Sequence, residues 1–165
     1  MSSSLTNIVH LSTGYNDVNY GDKILAVYFL PNTQHLRFDS DINANYGYSY
    51  RNSSNIIYIL NILLIKKILQ YLDKQYIDFY RTMYSYNSSD IPLNQWTNVT
   101  VSQTYANSTS KYTFAIEIDG TEVHSLENTR AQQFFGVKEY WSDPWADAAL
   151  ANVANVTVVT SRGQF

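Results

Sequence analysis

The chain contains no cysteine, which removes disulfides, cysteine-based zinc sites and thiol nucleophiles together. Charge is also scarce: Asp, Glu, Lys and Arg make up 15% of the residues, against an average of about 25%. The formal net charge of −3 gives no electrostatic reason to expect nucleic acid as a partner. There is no GxSxG, P-loop, GxGxxG or HExxH. His10, His35 and His124 stand apart on predicted strands, so packing or surface roles are expected for them rather than zinc binding. The opening MSSSLTNIVHLSTG has no basic segment followed by an apolar one, so no signal peptide is expected. A membrane span needs about 20 predominantly apolar residues. The most apolar stretch is interrupted at Asn61 and at Lys66-Lys67, so no span is expected.

What is present is a hydrophobic content of 45% in 165 residues, enough for one domain with a substantial core. Tyr is abundant, with 15 residues, and suits both half-buried strands and binding surfaces. The clearest periodicity lies in Pro92 to Val123. Trp96, Val99 and Val101 begin an alternating run, and Tyr112, Phe114, Ile116 and Ile118 continue it. Alternation places successive side chains on opposite faces of a strand, one buried and one wetter. Asp119-Gly120 then predicts a tight hairpin turn, because both central residues of a type I′ turn need positive φ.

The remaining strands follow from shorter signals. Ile8 to Thr13 alternates, and Ile24 to Leu30 is a continuous apolar run of sandwich-core character. Residues 36–40 and 46–50 alternate again, as do 134–141 and the final 153–160, while 146–151 reads as a loop with a helical turn. Ser54 to Arg81 breaks the pattern: it lacks Gly and Pro, and Lys66, Gln70, Asp73, Lys74, Asp78 and Arg81 recur at spacings of three and four. That spacing predicts an amphipathic helix capped by Ser54 or Asn55. Tyr48-Ser49-Tyr50-Arg51-Asn52-Ser53-Ser54 is nearly repeated at Tyr84-Ser85-Tyr86-Asn87-Ser88-Ser89, which marks residues 51–86 as an insertion whose deletion is expected to leave a β protein. The expected class is therefore all-β, an antiparallel jelly-roll sandwich with one inserted amphipathic helix, over a single domain 1–165.

Three segments together resemble the concanavalin A-like jelly-roll superfamily, in particular laminin G-like modules of animal extracellular proteins. They are His10-Leu11-Ser12-Thr13-Gly14 with Tyr20-Gly21-Asp22-Lys23-Ile24, Pro92-Leu93-Asn94-Gln95-Trp96 leading to Val99 and Val101, and Val137-Lys138-Glu139-Tyr140 running into Ser142-Asp143-Pro144-Trp145. The resemblance covers about residues 8–50 and 88–160. It implies a non-enzymatic extracellular recognition module, binding carbohydrate or a protein partner, with a structural or adhesion domain of a larger chain as the alternative. Such modules usually carry a strand or two before the position of Ile8, so the chain is expected to be an N-terminally incomplete piece of a secreted protein.

Within that frame, Trp141, Asp143 and Trp145 are the ligand candidates, since sugars stack on aromatic faces and hydrogen-bond to Asp. The resemblance also allows a calcium site. Asp39, Asp41 and Asn43 at alternate positions, with Asp143 and Asp147 as further oxygen donors, are its candidates, although Ca²⁺ wants six to eight oxygens from converging loops. A glycosidase on this fold needs two carboxylates facing one cleft. Glu117 and Asp119 have the spacing to share a face, but the turn already accounts for Asp119, so catalysis is not expected. Sequons at Asn52, Asn87, Asn98, Asn107 and Asn155 are glycosylation candidates in a secretory setting.

Overall fold

The computed structural model describes residues 3–16, 21–42, 62–66, 84–92, 94–131, 134–149 and 151–154. Within them the chain forms two sheets stacked as a jelly-roll-like sandwich. The first sheet is built on β1 (Thr6–Ser12), which pairs antiparallel with β2 (Leu25–Phe29). β3 (His35–Ser40) and β5 (Tyr84–Asp90) extend that side in turn. On its other side β1 is flanked by β9 (Lys138–Trp141), antiparallel, and by the two-residue β10 (Asp147–Ala148), parallel. The second sheet has the order β11 (Ala151–Ala154), β4 (Ile62–Lys66), β6 (Thr97–Ala106), β7 (Lys111–Ile118) and β8 (Thr121–Asn128), antiparallel throughout.

The strongest periodic signal has the predicted structure. β6, β7 and β8 form a continuous meander, and Asp119 and Gly120 join β7 to β8 with φ of 51° and 76°, both positive as a type I′ turn requires. The inward faces meet as alternation dictates. Leu25, Val27 and Phe29 of β2 and Leu36 and Phe38 of β3 share one core cluster with Val99 and Val101 of β6 and Phe114 and Ile116 of β7. Each such side chain removed from water contributes about 1.5–3 kcal/mol. At one side β5 is clasped to β8: the His124 ring stacks on Tyr84 and Tyr86 at centroid distances of 5.3 and 4.7 Å, and the Tyr86 hydroxyl donates to the Val123 carbonyl.

Several expectations are corrected. Ile62–Lys66 lie inside the predicted helix but form strand β4, between β11 and β6. A short apolar run reads the same as a buried strand or as one turn of a buried helix, and here ladder pairing on both sides decides the matter. The rest of the helix range, and the strand expected at 46–50, lie outside the described residues. β5 begins at Tyr84, so the predicted insertion 51–86 also overlaps a strand of the first sheet. Phe134 to Val137 precede β9 without joining it, and β11 starts at Ala151, where a loop was expected. Trp96 lies just outside β6 and is exposed. Finally, β1 is buried on both faces, not one. Of the polar residues on its outer face, Asn7 and His10 are covered by chain that returns more than 130 positions later, and the Ser12 hydroxyl is taken up locally by Gly14 and Tyr15.

Candidate functional site

The covered outer face of β1 is where sequence-predicted site residues converge. His10 projects from mid-strand and is fully buried. Its Nδ1 meets Asp143 Oδ2 at 2.7 Å, and its Nε2 meets the Asp22 carbonyl oxygen at 2.7 Å. A carbonyl oxygen only accepts, so Nε2 carries a hydrogen; with Asp143 ionised, Nδ1 carries one as well. The second carboxylate oxygen of Asp143 accepts from the backbone N–H groups of Trp145 and Ala146, at 3.0 and 2.9 Å. Asp143's own N–H donates to Asn7 Oδ1. Asp-Pro-Trp thus folds as an Asp-anchored turn, and the turn is pinned to β1 and, through His10, to residue 22.

Aromatic rings close over this pair. Trp145 and Tyr140 approach His10 edge-on, with centroids at 5.3 and 6.4 Å, and contact each other at 5.2 Å. Tyr28 on neighbouring β2 is buried and hydrogen-bonded to Asn7, and burial, with Asp143 and Asp39 nearby, holds its hydroxyl well above the usual tyrosine range. Both ring nitrogens of His10 and both oxygens of Asp143 are engaged within the fold, so the arrangement works as a buried polar clasp. The three predicted ligand residues therefore separate. Asp143 faces inward, Trp145 caps the clasp while remaining 40% exposed, and Trp141 on β9, 43% exposed, lines a groove of about 320 Å³ with Ile8, Ser142, Ala151 and Val153.

The calcium candidates do not share partners. Asp39 Oδ1 accepts from Arg37 Nε at 2.8 Å and from Ser85 Oγ at 2.7 Å, bridging β3 to β5. Asp41, beyond the end of β3, receives the Gly21 and Lys23 N–H groups on Oδ2 at 2.6 and 3.4 Å. Asn43 lies outside the described residues. Asp147 accepts from Ser4 on the surface. Among the described residues no three His, Cys, Asp or Glu side chains group closely enough to hold a metal ion. Burial pushes the Asp41 carboxyl up to about 7, against the opposing pull of the Gly21 and Lys23 hydrogen bonds.

Asp41 also lines a second concavity, which the sequence did not single out. It is a cleft of about 30 Å³ between the sheets, walled by Leu25 and Ile42 on one side and by Val101, Gln103, Phe114 and Asn128 on the other. Gln103 and Asn128, both on that second wall, are joined by an Nδ2–Oε1 hydrogen bond of 2.6 Å. Only the 25-residue separation of these amides and their register on β6 and β8 bring them together, and no local motif marks that.

The remaining candidates are dispersed. His35 pairs with Asp90 at the surface, and His124 sits between Tyr84 and Tyr86. Asp119 is committed to its turn, where Oδ1 accepts the Asn98 N–H at 2.8 Å. Glu117 stands opposite Glu122 on the neighbouring strand and lines neither concavity. The sequon residues Asn87, Asn98 and Asn107 are exposed, whereas Asn52 and Asn155 lie outside the described residues. No protein-family model, no curated protein and no solved structure matches the chain.

Proposed function

We propose that this chain is a non-enzymatic, extracellular β-sandwich module with a structural or adhesive role in a larger protein. The observation that carries the reading is the buried His10–Asp143 pair. The loop with the most sugar-like composition spends its carboxylate on holding the fold together, so Asp143 is turned to His10 and to the Trp145 and Ala146 N–H groups rather than to a ligand. The chain from 135 to 145 carries exposed aromatic side chains: Phe135 at 75% exposure, with Trp141 and Trp145. Aromatic side chains of this kind are enriched where proteins meet proteins, and the chain's low charge fits the same use. The two-sheet sandwich is compatible with the laminin G-like resemblance, whose members act in extracellular proteins, and the exposed sequons at Asn87, Asn98 and Asn107 suit that setting.

A bead assay tests the reading. Beads coated with the chain are expected to cluster with one another, and Phe135→Ser with Trp141→Ser is expected to abolish this. Turnover of chromogenic glycosides by the purified chain, or bead behaviour unchanged by the double variant, would overturn it.

A further inference from the structure

Two tyrosines stand at the loop end of the β6–β7 hairpin. Tyr105 and Tyr112 are direct cross-strand partners in a register that is unbroken from Val99↔Ile118 to Ala106↔Lys111. Direct partners point to the same face of a sheet, with Cβ atoms about 4.5–5.5 Å apart. The two rings are in contact, with centroids 4.8 Å apart and planes inclined at 45°. They follow Gln103 and Phe114 on the inward face, past the core, and both side chains are half-buried, so each ring keeps access to solvent. Burial, and then Tyr105 beside it, raise the Tyr112 hydroxyl above the usual tyrosine range, which keeps this phenol protonated at neutral pH.

The other described tyrosines are placed differently. Tyr28 is buried, Tyr140 packs edge-on against Trp145, Tyr84 and Tyr86 each stack on His124, and Tyr15 is exposed. The chain also has no cysteine and two methionines, the side chains that take up oxidising equivalents most readily, so no thiol of its own quenches a tyrosyl radical. Two phenols in contact can undergo a reaction that a single one cannot. A one-electron oxidant removes a hydrogen atom, as an electron and a proton, from each hydroxyl. The unpaired electron spreads to the ring carbons beside the oxygen, and the two radicals join there by a carbon–carbon bond. The hydrogens on the joined carbons then pass to the oxygens as both rings regain aromaticity. The pair has lost two hydrogens in all, and these reduce one hydrogen peroxide to two waters.

We propose that Tyr105 and Tyr112 form an oxidative crosslinking site, joined ring to ring as dityrosine by a haem peroxidase with hydrogen peroxide. The bond spans an exposed loop, Asn107 to Ser110, and the exposed Lys111. Exposed loop tips are preferred sites of proteolytic nicking. A crosslink across this one holds β6 to β7 after a cut, as a disulfide does in chains that have cysteine.

The full-length chain is oxidised at high dilution with a haem peroxidase and limiting hydrogen peroxide, and the monomer is isolated and digested with trypsin. Arg81, Lys111 and Arg130 are consecutive cleavage points, so the untreated chain yields 82–111 and 112–130, and Tyr112 is the only tyrosine of the second peptide. The oxidised monomer is expected to yield the two peptides as one fluorescent species, lighter than their sum by two hydrogens, with fragmentation placing the bond at Tyr105. Tyr105→Phe keeps the ring without the phenol and is expected to reduce that species at least tenfold, and Tyr15→Phe to leave it unchanged. The proposal is overturned if the oxidised wild-type monomer contains no such species, a result that needs no variant to fold. It is equally overturned if fragmentation places the bond at Tyr84 or Tyr86, or if Tyr105→Phe leaves the species intact.

Discussion

His10 and Asp143, 133 residues apart in sequence, meet at 2.7 Å between Nδ1 and Oδ2 with neither side chain open to water. Breaking one partner of a buried pair leaves the other charged and unsatisfied, which costs about 3–5 kcal/mol. Asp143→Ala and His10→Ala are each expected to lower the unfolding free energy from urea titration by that order, and the double variant by clearly less than the sum. Additive losses in the double-mutant cycle would show that the two residues act separately.

Asp41 sets a pH dependence. The folded chain holds its proton up to about 7, while the unfolded chain releases it near the ordinary carboxyl value of 3.8. Between those values the native state binds more protons than the unfolded state, so stability falls as pH rises from about 4 to about 7 and levels off above. At about 1.4 kcal/mol per unit, the loss is about 4 kcal/mol at most. Urea titrations at pH 5 and pH 8 check this: the wild type is expected to be less stable at pH 8, and Asp41→Asn to lose most of the difference.

The Thr97 hydroxyl, on the inward face of β6, is buried with no hydrogen-bond partner among the described residues. Valine has nearly the same shape without the unsatisfied group. Thr97→Val is therefore expected to stabilise the fold by about 1 kcal/mol. A lower thermal midpoint in this variant would show that the hydroxyl has a partner in solution.

Gly120 adopts φ of 76°, and an added Cβ there would meet nothing within 4 Å. Gly120→Ala thus isolates backbone strain from crowding. It is expected to cost about 1 kcal/mol in a denaturation curve, with the β circular-dichroism spectrum unchanged.

Strand β4 changes what deletion of residues 51–83 should do. Read as an insertion, the segment is dispensable; with Ile62–Lys66 pairing β11 on one side and β6 on the other, its removal detaches β11 from the second sheet. The shortened chain is expected to lose cooperative unfolding, whereas a sharp, wild-type-like transition would restore the insertion reading.

The sequence by itself determined what depends on neighbours along the chain. The β6–β7–β8 meander follows from strict alternation, its Asp119-Gly120 turn from residues that tolerate positive φ, and the core role of β2 from an apolar run suited to burial on both faces. Trp141, Asp143 and Trp145 were legible as unusual residues in one loop. Tertiary structure alone decided what they do, because a carboxylate reads the same in sequence whether it meets a sugar hydroxyl or a histidine 133 positions away. The same holds for Ile62–Lys66, whose strand character comes from ladder partners at 97–99 and 151–154. It holds also for Asp41 and Gln103, which share a cleft only because two sheets stack with their ends in register. Local periodicity specifies which face of an element is apolar, but partner choice is set by long-range packing and by hydrogen bonds between segments that no period connects.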